Sequence, residues 1–407
     1  MNKTLTLLCL LVCLVARQTA AQPEFIGPEP QLGIADPPSP IGAVAHRLTP
    51  GTDSLLLTWL QRGTSGIQLR WVRLNAEGWG EPATITEQPR MMANWADVPA
   101  VVEGGDGALY AHWLDPSENS PEWYDIRMLR STDDGSTWTA LGTLNDDGIE
   151  AEHGFVSYVP DAQGVRAYWL DGRATREEIA EGVNGPMSLR TARVGETIEP
   201  STLIDDRVCD CCATGAAITD AGPIVIYRDR SKADVRDISL AGGGIPGTRL
   251  LHADGWSIFG CPVNGPAIDA KGRTVAVAWY TAADNKAKVL AAISTNNGVT
   301  FGEPIVIDET RGASIPLGRV DIVLDGEEAV VSWLANKRLK GTLKLQRISA
   351  AGLVGEAVAV SPMDTGRLSG FPELEVLHGR AVIVWRDPEA EVLRAAAIPL
   401  EGIGKEK

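Results

Sequence analysis

An apolar run that closes on an aromatic side chain returns seven times along the chain. The copies are "SLLLTWL" at Trp59, "ALYAHWL" at Trp113, "VRAYWL" at Trp169, "IVIYR" at Tyr227, "VAVAWY" at Trp279, "AVVSWL" at Trp333 and "AVIVWR" at Trp385. The aromatics stand 52 to 58 residues apart, the spacing of one supersecondary unit used over and over. Each unit has four parts. A short segment such as "DVPAVVEG" or "GRVDIVLDG" precedes the aromatic run across a Gly or Asp turn, an alternating segment such as "YDIRMLRSTDDG" follows, and a fourth such as "GEPIVIDE" closes the unit. Short β-prone runs bounded by Gly, Asp and Asn read as strands, and no stretch sustains a helical period. Four-stranded units repeated around an axis are the blades of a β-propeller. The expectation is therefore an all-β propeller of seven blades, with six as the runner-up; a β-solenoid would need a much shorter repeat. The last repeat has room for about three strands before Lys407, so the arm near Phe25 to Ile34 is expected to supply its outer strand and close the ring.

The start of the chain has a different character. "LTLLCLLVCLVA" follows Lys3 and leads to "RQTAAQ", a pattern that reads as a signal peptide over residues 1–21, cleaved before Gln22. Its apolar core falls short of the roughly 20 residues that span a bilayer, and no later run approaches that length. An exported protein, periplasmic or extracellular, with no transmembrane segment is expected. Residues 22–40 form a Pro-rich arm, and 41–407 a single propeller domain. The net charge of −16 sets phosphate-rich surfaces against the chain, which excludes nucleic acid and anionic lipid as general partners.

Two turns carry a finer signal. "STDDGSTW", Ser131 to Trp138, fits the Ser-x-Asp-x-Gly-x-Thr-Trp pattern of the Asp box, and "STNNGVTF", Ser294 to Phe301, is a degenerate copy with Asn296 in the Asp place. Such a turn is local physics: the Asp side chain caps backbone amides, Gly supplies a left-handed conformation, and the aromatic packs beneath. On these residues the chain resembles the Asp-box, or bacterial-neuraminidase-repeat, propellers that include the sialidases. Asp boxes of those propellers are structural, which implies a folding role for Ser131, Asp133, Gly135 and Trp138. That resemblance implies an exo-sialidase type of glycoside hydrolase. Three arginines would clamp a sugar carboxylate, an Asp would act as acid and base, and a Tyr activated by a Glu would be the nucleophile. Arg228, Arg319 and Arg386 are the candidates for the clamp, Asp97 for the acid/base and Tyr280 for the nucleophile. The early Arg-Ile-Pro signature of that family is absent, most of its members have six blades, and the sequence offers no matching Glu, so hydrolysis stays open.

In a propeller, the loop leading into each blade and the loop after its second strand share one face. That face is expected to gather the four cysteines outside the leader together with His153, Asn264, Arg207, Arg228, Asp229, Arg230, Arg319 and Arg386. So many arginines in an acidic chain point to an anionic ligand, an acidic glycan or a small anion; the alternative for each is an ion pair with a neighbour such as Asp229 or Asp387. "RVCDCCATG" places Cys209, Cys211 and Cys212 within four positions, and Cys261 holds nearly the same place in the next blade. An even number of cysteines in an oxidising compartment favours disulfides. Cys209–Cys212 with Cys211–Cys261 is the pairing free of a strained or one-residue ring. Thiolates with His153 could instead hold Cu(I) or Zn(II), and a catalytic thiol is a third reading. No cofactor is required by any other feature, and a non-catalytic platform for a protein partner remains a separate function class.

Overall fold

The computed structural model describes residues 34–180 and 183–404 and forms a ring of seven blades. They span 44–88, 100–143, 153–205, 215–252, 267–309, 318–363 and 373–399. Six blades hold four consecutive antiparallel strands, and the seventh holds three, Glu373–Leu377, Arg380–Asp387 and Val392–Pro399. Blade 1 adds a two-residue strand, Gly78–Trp79, and blade 3 carries a small hairpin, Glu178–Ala180 with Val183–Asn184, above its second strand. Among the described residues no helix is long and apolar enough to cross a membrane.

The repeated aromatic is the reason for the ring. It lies on the second strand of each blade, flanked by two strands and covered by the neighbouring blades, and Trp59, Trp169, Tyr227 and Trp279 are fully buried. Burying one such side chain stabilises by roughly 2–3 kcal/mol. In three successive blades its polar atom also ties the blades together. Tyr227 Oη donates to Asp205, Trp279 Nε1 to Asp254 and Trp333 Nε1 to Asp308, each acceptor standing at or just beyond the outer strand of the preceding blade. The innermost strands repeat a second tie: Asp269 accepts the Leu324 N–H and Asp321 accepts the Leu374 N–H, each from the following blade.

Seven apolar clusters occupy the seven blade interfaces. The one between blades 7 and 1 joins Val382, Val384 and Leu393 to Leu57, Trp59 and Val72, which closes the ring by side-chain packing. Residues 35 and 36 reinforce the seam. Ala35 O accepts from Trp79 Nε1 at 2.9 Å, while the Asp36 carboxylate accepts from Ala395 N–H at 3.1 Å and from Arg394 at 2.7 Å. The leader and residues 25–33, expected to add the outer strand of blade 7, lie outside the described residues.

The Ser131–Trp138 turn sits between the third and fourth strands of blade 2, on the face away from the lead-in loops. Asp133 accepts from Thr137 N–H at 2.9 Å and from Thr137 Oγ1 at 2.7 Å, and Gly135 N–H donates to Ser131 Oγ at 2.9 Å. Gly135 has φ +80°, and a Cβ there would lie 2.2 Å from the Trp71 ring. Trp138 meets that same ring edge-on, at 6.4 Å between centroids. The Ser294–Phe301 turn keeps the backbone bonds, the Asn296 amide oxygen accepting from Thr300 N–H at 2.9 Å, but here the Asn296 amide NH2 donates to Thr300 Oγ1 at 2.8 Å.

Candidate functional site

Three of the lead-in loops end in a bulge that tips one residue into the left-handed region: Ala45 (φ 52°), Phe155 (φ 55°) and Arg319 (φ 51°). Two of the bulges turn backbone amides toward side chains of neighbouring blades, Phe155 N–H to Asp97 and Arg319 N–H to Asn264. At blade 3 the Phe155 N–H donates to Asp97 Oδ1 at 2.7 Å, and Asp97 Oδ2 accepts from the Tyr124 hydroxyl at 2.9 Å. The same hydroxyl lies 3.1 Å from Glu152 Oε1. Two carboxyls thus share one phenol. Gly154 makes room for them, since a Cβ there would stand 1.9 Å from Asp97 Oδ2.

Burial governs the protons of this trio. Asp97, 1% exposed, is pushed up to about 7 by desolvation, against the pull of the Phe155 and Tyr124 bonds. Glu152, half-buried at the surface end, is also pushed up to about 7 by desolvation, to which the charges of Asp210 and Glu122 add. Tyr124 is held far above its ordinary value, chiefly by burial and then by the two carboxyls. At neutral pH the trio therefore holds a proton that an exposed pair would have released. It can pass from Asp97 through the phenol to Glu152.

A stability consequence follows with a definite sign. The folded chain keeps the Asp97 proton up to about pH 7, whereas the unfolded chain releases it near 3.8, so the stabilisation is complete below that lower value and is lost as pH rises through 7. Ionising this carboxyl in place costs about 4 kcal/mol. Asp97→Asn preserves the shape of the protonated acid. Thermal melts across this pH range are expected to fall for the native chain and to be flatter for the variant; equal slopes would refute the assignment.

The expected nucleophile, Tyr280, is elsewhere. Its ring meets Trp256 edge-on at 5.5 Å, its carbonyl accepts from Arg228, and its hydroxyl bonds to no carboxylate among the described residues. The phenol that does meet carboxylates is Tyr124. It opens the third strand of blade 2, one residue past the loop "LDPSENSPEW", and Glu152 precedes His153 in the next lead-in loop.

The three arginines expected to clamp a carboxylate are spent on the main chain. Arg228 donates to Arg236 O at 2.7 Å, to Asn264 O at 2.8 and 3.1 Å, and to Tyr280 O at 2.8 Å. Arg319 donates to Ser369 Oγ and to the carbonyls of Gly370, Thr365 and Gly366, with the Trp95 and Phe371 rings 5.2 and 5.9 Å from its guanidinium. Arg386 donates to Ala43 O and Leu368 O. All three are buried, so they brace blade junctions and leave little for a solute. Asn264 joins this bracing, its Oδ1 accepting the Arg319 N–H at 2.8 Å. Asp229 caps Arg230 N–H and Ser239. Only Arg230 and Arg207 reach toward solvent: Arg230 pairs with Asp234 at 2.8 Å and Asp210 at 3.5 Å, while the Arg207 guanidinium makes no hydrogen bond or ion pair among the described residues.

All four cysteines are free thiols in the structure, so the expected disulfides do not form there. Cys209 Sγ lies 3.8 Å from Cys211 Sγ and 3.7 Å from Cys212 Sγ, too far for an S–S bond and close enough for thiol contact. Thiol contacts with Cys211 and Cys212, with the Arg236 guanidinium beside it, hold Cys209 well below the ordinary thiol range. His153 does not join them. Its Nε2 pairs with Asp147 at 3.0 Å and its Nδ1 contacts Tyr124 O at 3.2 Å. The place a cation would take between Asp147 and Asp171 is filled by Arg173 Nε, at 3.2 and 2.7 Å.

Along the ring axis a cavity of about 520 Å³ is lined by the inner strands, with Asn94, Trp95 and Leu368 among the residues of its lining that come from the loop face. Arg47 pairs there with Glu373 at 3.4 Å, among the acids Asp269, Asp321 and Glu375.

No protein-family model matches the chain, and no curated protein matches its sequence. Solved structures do resemble it. An ulvan lyase, a polysaccharide lyase solved bound to -[GlcA(1-4)Rha3S]-, is 10% identical with a TM-score of 0.53, over 90% of this chain and 95% of that one. The polysaccharide lyase Uly1 is 10% identical with a TM-score of 0.51, over 89% and 91%. At such identities the likeness is one of fold, and it places the chain in the class of β-propellers.

Proposed function

We propose that this propeller binds an acidic glycan on its loop face and cleaves it by general acid–base chemistry at Glu152. The observation that carries the reading is the Tyr124 hydroxyl contacting both Asp97 and Glu152, two carboxyls that burial pushes up to about 7. Glycan cleavage needs a group that can give a proton to a leaving oxygen or take one from water or carbon, and a carboxyl poised near 7 can do either. Glu152 is the member that meets solvent. Asp97 and Tyr124 stand behind it, so they position and recharge it and do not themselves touch the glycan. Arg207 and Arg230 on the same face offer the positive charge that an acidic sugar needs. The two propellers of similar fold are lyases of polysaccharide, which supports the substrate class. With the three inner arginines engaged by carbonyls, a clamp on a sialic acid carboxylate receives no support, and polymeric uronates fit better.

The test is incubation of the purified chain with ulvan, polygalacturonate, a glycosaminoglycan and fluorogenic sialosides, reading reducing ends, ultraviolet absorbance of unsaturated products and dye release. Cleavage lost in Glu152→Gln is the expected result. Absence of product from the whole panel would overturn the catalytic reading.

A second reading has its own observation. Phe259 is fully exposed, at 103%, and Leu339 and Leu368 project from the same face. Such residues suit a protein partner, and a stoichiometric complex lost in Phe259→Ser would favour a docking platform.

A further inference from the structure

We propose that Cys209, Cys211, Cys212 and Cys261 form a thiolate site for a d10 cation, zinc(II) or copper(I), where the lead-in loops of blades 4 and 5 meet. The inference uses no part of the Asp97–Tyr124–Glu152 trio and stands apart from the glycan reading.

Spacing is the first argument. The sulfurs of Cys209, Cys211 and Cys212 all lie within 4.8 Å of one another, two of the separations being 3.8 and 3.7 Å. A tetrahedral cation bound to sulfur at about 2.3 Å sets its ligands about 3.8 Å apart. Cys209 already stands at the edge length of that tetrahedron from both Cys211 and Cys212. Cys211 belongs to a second group as well, with Cys261 Sγ and an Asp210 oxygen within the same 4.8 Å limit. Among the cysteines Cys261 is within that limit of Cys211 alone, so three sulfurs are in place and the exposed Cys261 loop supplies the fourth by closing toward Cys209 and Cys212.

Rigidity is the second. Cys209 N–H donates to Arg228 O at 3.0 Å, which pins the loop to the second strand of its own blade. The Asn264 N–H donates to Cys212 Sγ at 3.4 Å, an outer bond of the kind that orients a ligand. A Cβ on Gly265 would lie 2.3 Å from Ala213 O, so the loop bearing Cys261 runs backbone to backbone against the one bearing Cys212.

Charge is the third. Four thiolates around zinc leave two negative charges, and around copper(I) three. Arg236, with its side chain 4% exposed, donates to Cys209 Sγ at 3.2 Å, and Arg230 pairs with the adjoining Asp210. These cations offset charge that would otherwise be costly to bury. Soft sulfur favours both proposed metals over hard cations. Cys209 and Cys212 are buried and Cys261 is exposed, so the metal can enter from the Cys261 side.

The experiment is metal loading of the intact, reduced chain. It is exposed separately to zinc(II), to copper(I) under a competing chelator and to cobalt(II), with metal counted by mass spectrometry and thiolate-to-cobalt charge transfer followed by absorbance. One equivalent of zinc or of copper, with the thiols protected from alkylation until chelation, is expected; which metal outcompetes the other decides between the two. Cys211→Ser, the residue common to both groups, is expected to lower affinity at least about a hundredfold, and Cys261→Ser less. Circular dichroism of both variants checks that the ring is intact. Thiols that alkylate at the same rate with and without metal would overturn the proposal. So would a chain, isolated from an oxidising compartment, whose cysteines all prove to be in disulfides.

Discussion

Arg228→Ala is expected to cost the ring about 5 kcal/mol. The guanidinium serves the carbonyls of Arg236, Asn264 and Tyr280, from two different blades, at 2.7 to 3.1 Å. Each buried acceptor left without a donor costs roughly 1–3 kcal/mol. Loss of the stacking over Trp256, 4.9 Å from the guanidinium carbon to the ring, adds about 1 kcal/mol more. Against a typical total of about 5–15 kcal/mol that is roughly a third or more of the stability. Arg228→Lys should recover less than half, because one ammonium cannot reach three carbonyls in the plane a guanidinium spans. Denaturant titration reads both. A variant that melts like the native chain but loses anion binding would return Arg228 to the role of a carboxylate clamp.

Glu152→Gln is expected to lower glycan cleavage by about a hundredfold to ten-thousandfold, the usual worth of a positioned acid or base. Tyr124→Phe should produce a smaller loss with a different signature. It cuts the path between the two carboxyls and leaves Glu152 in place. Burial pushes both carboxyls up to about 7. Activity that needs one protonated and one ionised group should therefore peak near neutrality and fall on both sides. Removing the phenol separates the two titrations and should move or flatten that peak, with KM nearly unchanged. An unaltered profile in Tyr124→Phe would mean that the phenol only packs. Full activity in Glu152→Gln would remove the residue from the chemistry.

The architecture was legible because its signal repeats. Each aromatic on a second strand is buried by the same surroundings, so one chemical requirement appears seven times at a nearly fixed spacing. The site was legible only in part. Asp97 could be named from its loop, but Tyr124 and Glu152 lie 28 positions apart on different blades and meet through a hydroxyl. The arginines misled for a physical reason. Arg228 ends a strand and looks like a surface charge, yet it has the parity of Ile224 and Ile226, both fully buried against blade 5. Arg386 likewise follows Val382 and Val384. Alternation carried through the end of the strand would have turned both inward. The spacing of Cys209, Cys211 and Cys212 leaves them little choice but to lie together, while Asp147 claims His153 from six residues away.

The bond from Ala395 to Asp36 spans 359 positions. Until both of its partners exist, the first and seventh blades present bare edges and unmatched apolar faces, including Trp59 on one side and Val384 on the other. Such late contacts slow folding and leave a long-lived intermediate that is prone to stick to other chains. The closed ring should accordingly be slow to form and also slow to open, because no blade can leave without breaking two interfaces. Its persistence would then be set by a rate of opening, and a single cut at the seam, near residue 36, would shorten its lifetime far more than a cut in a loop tip.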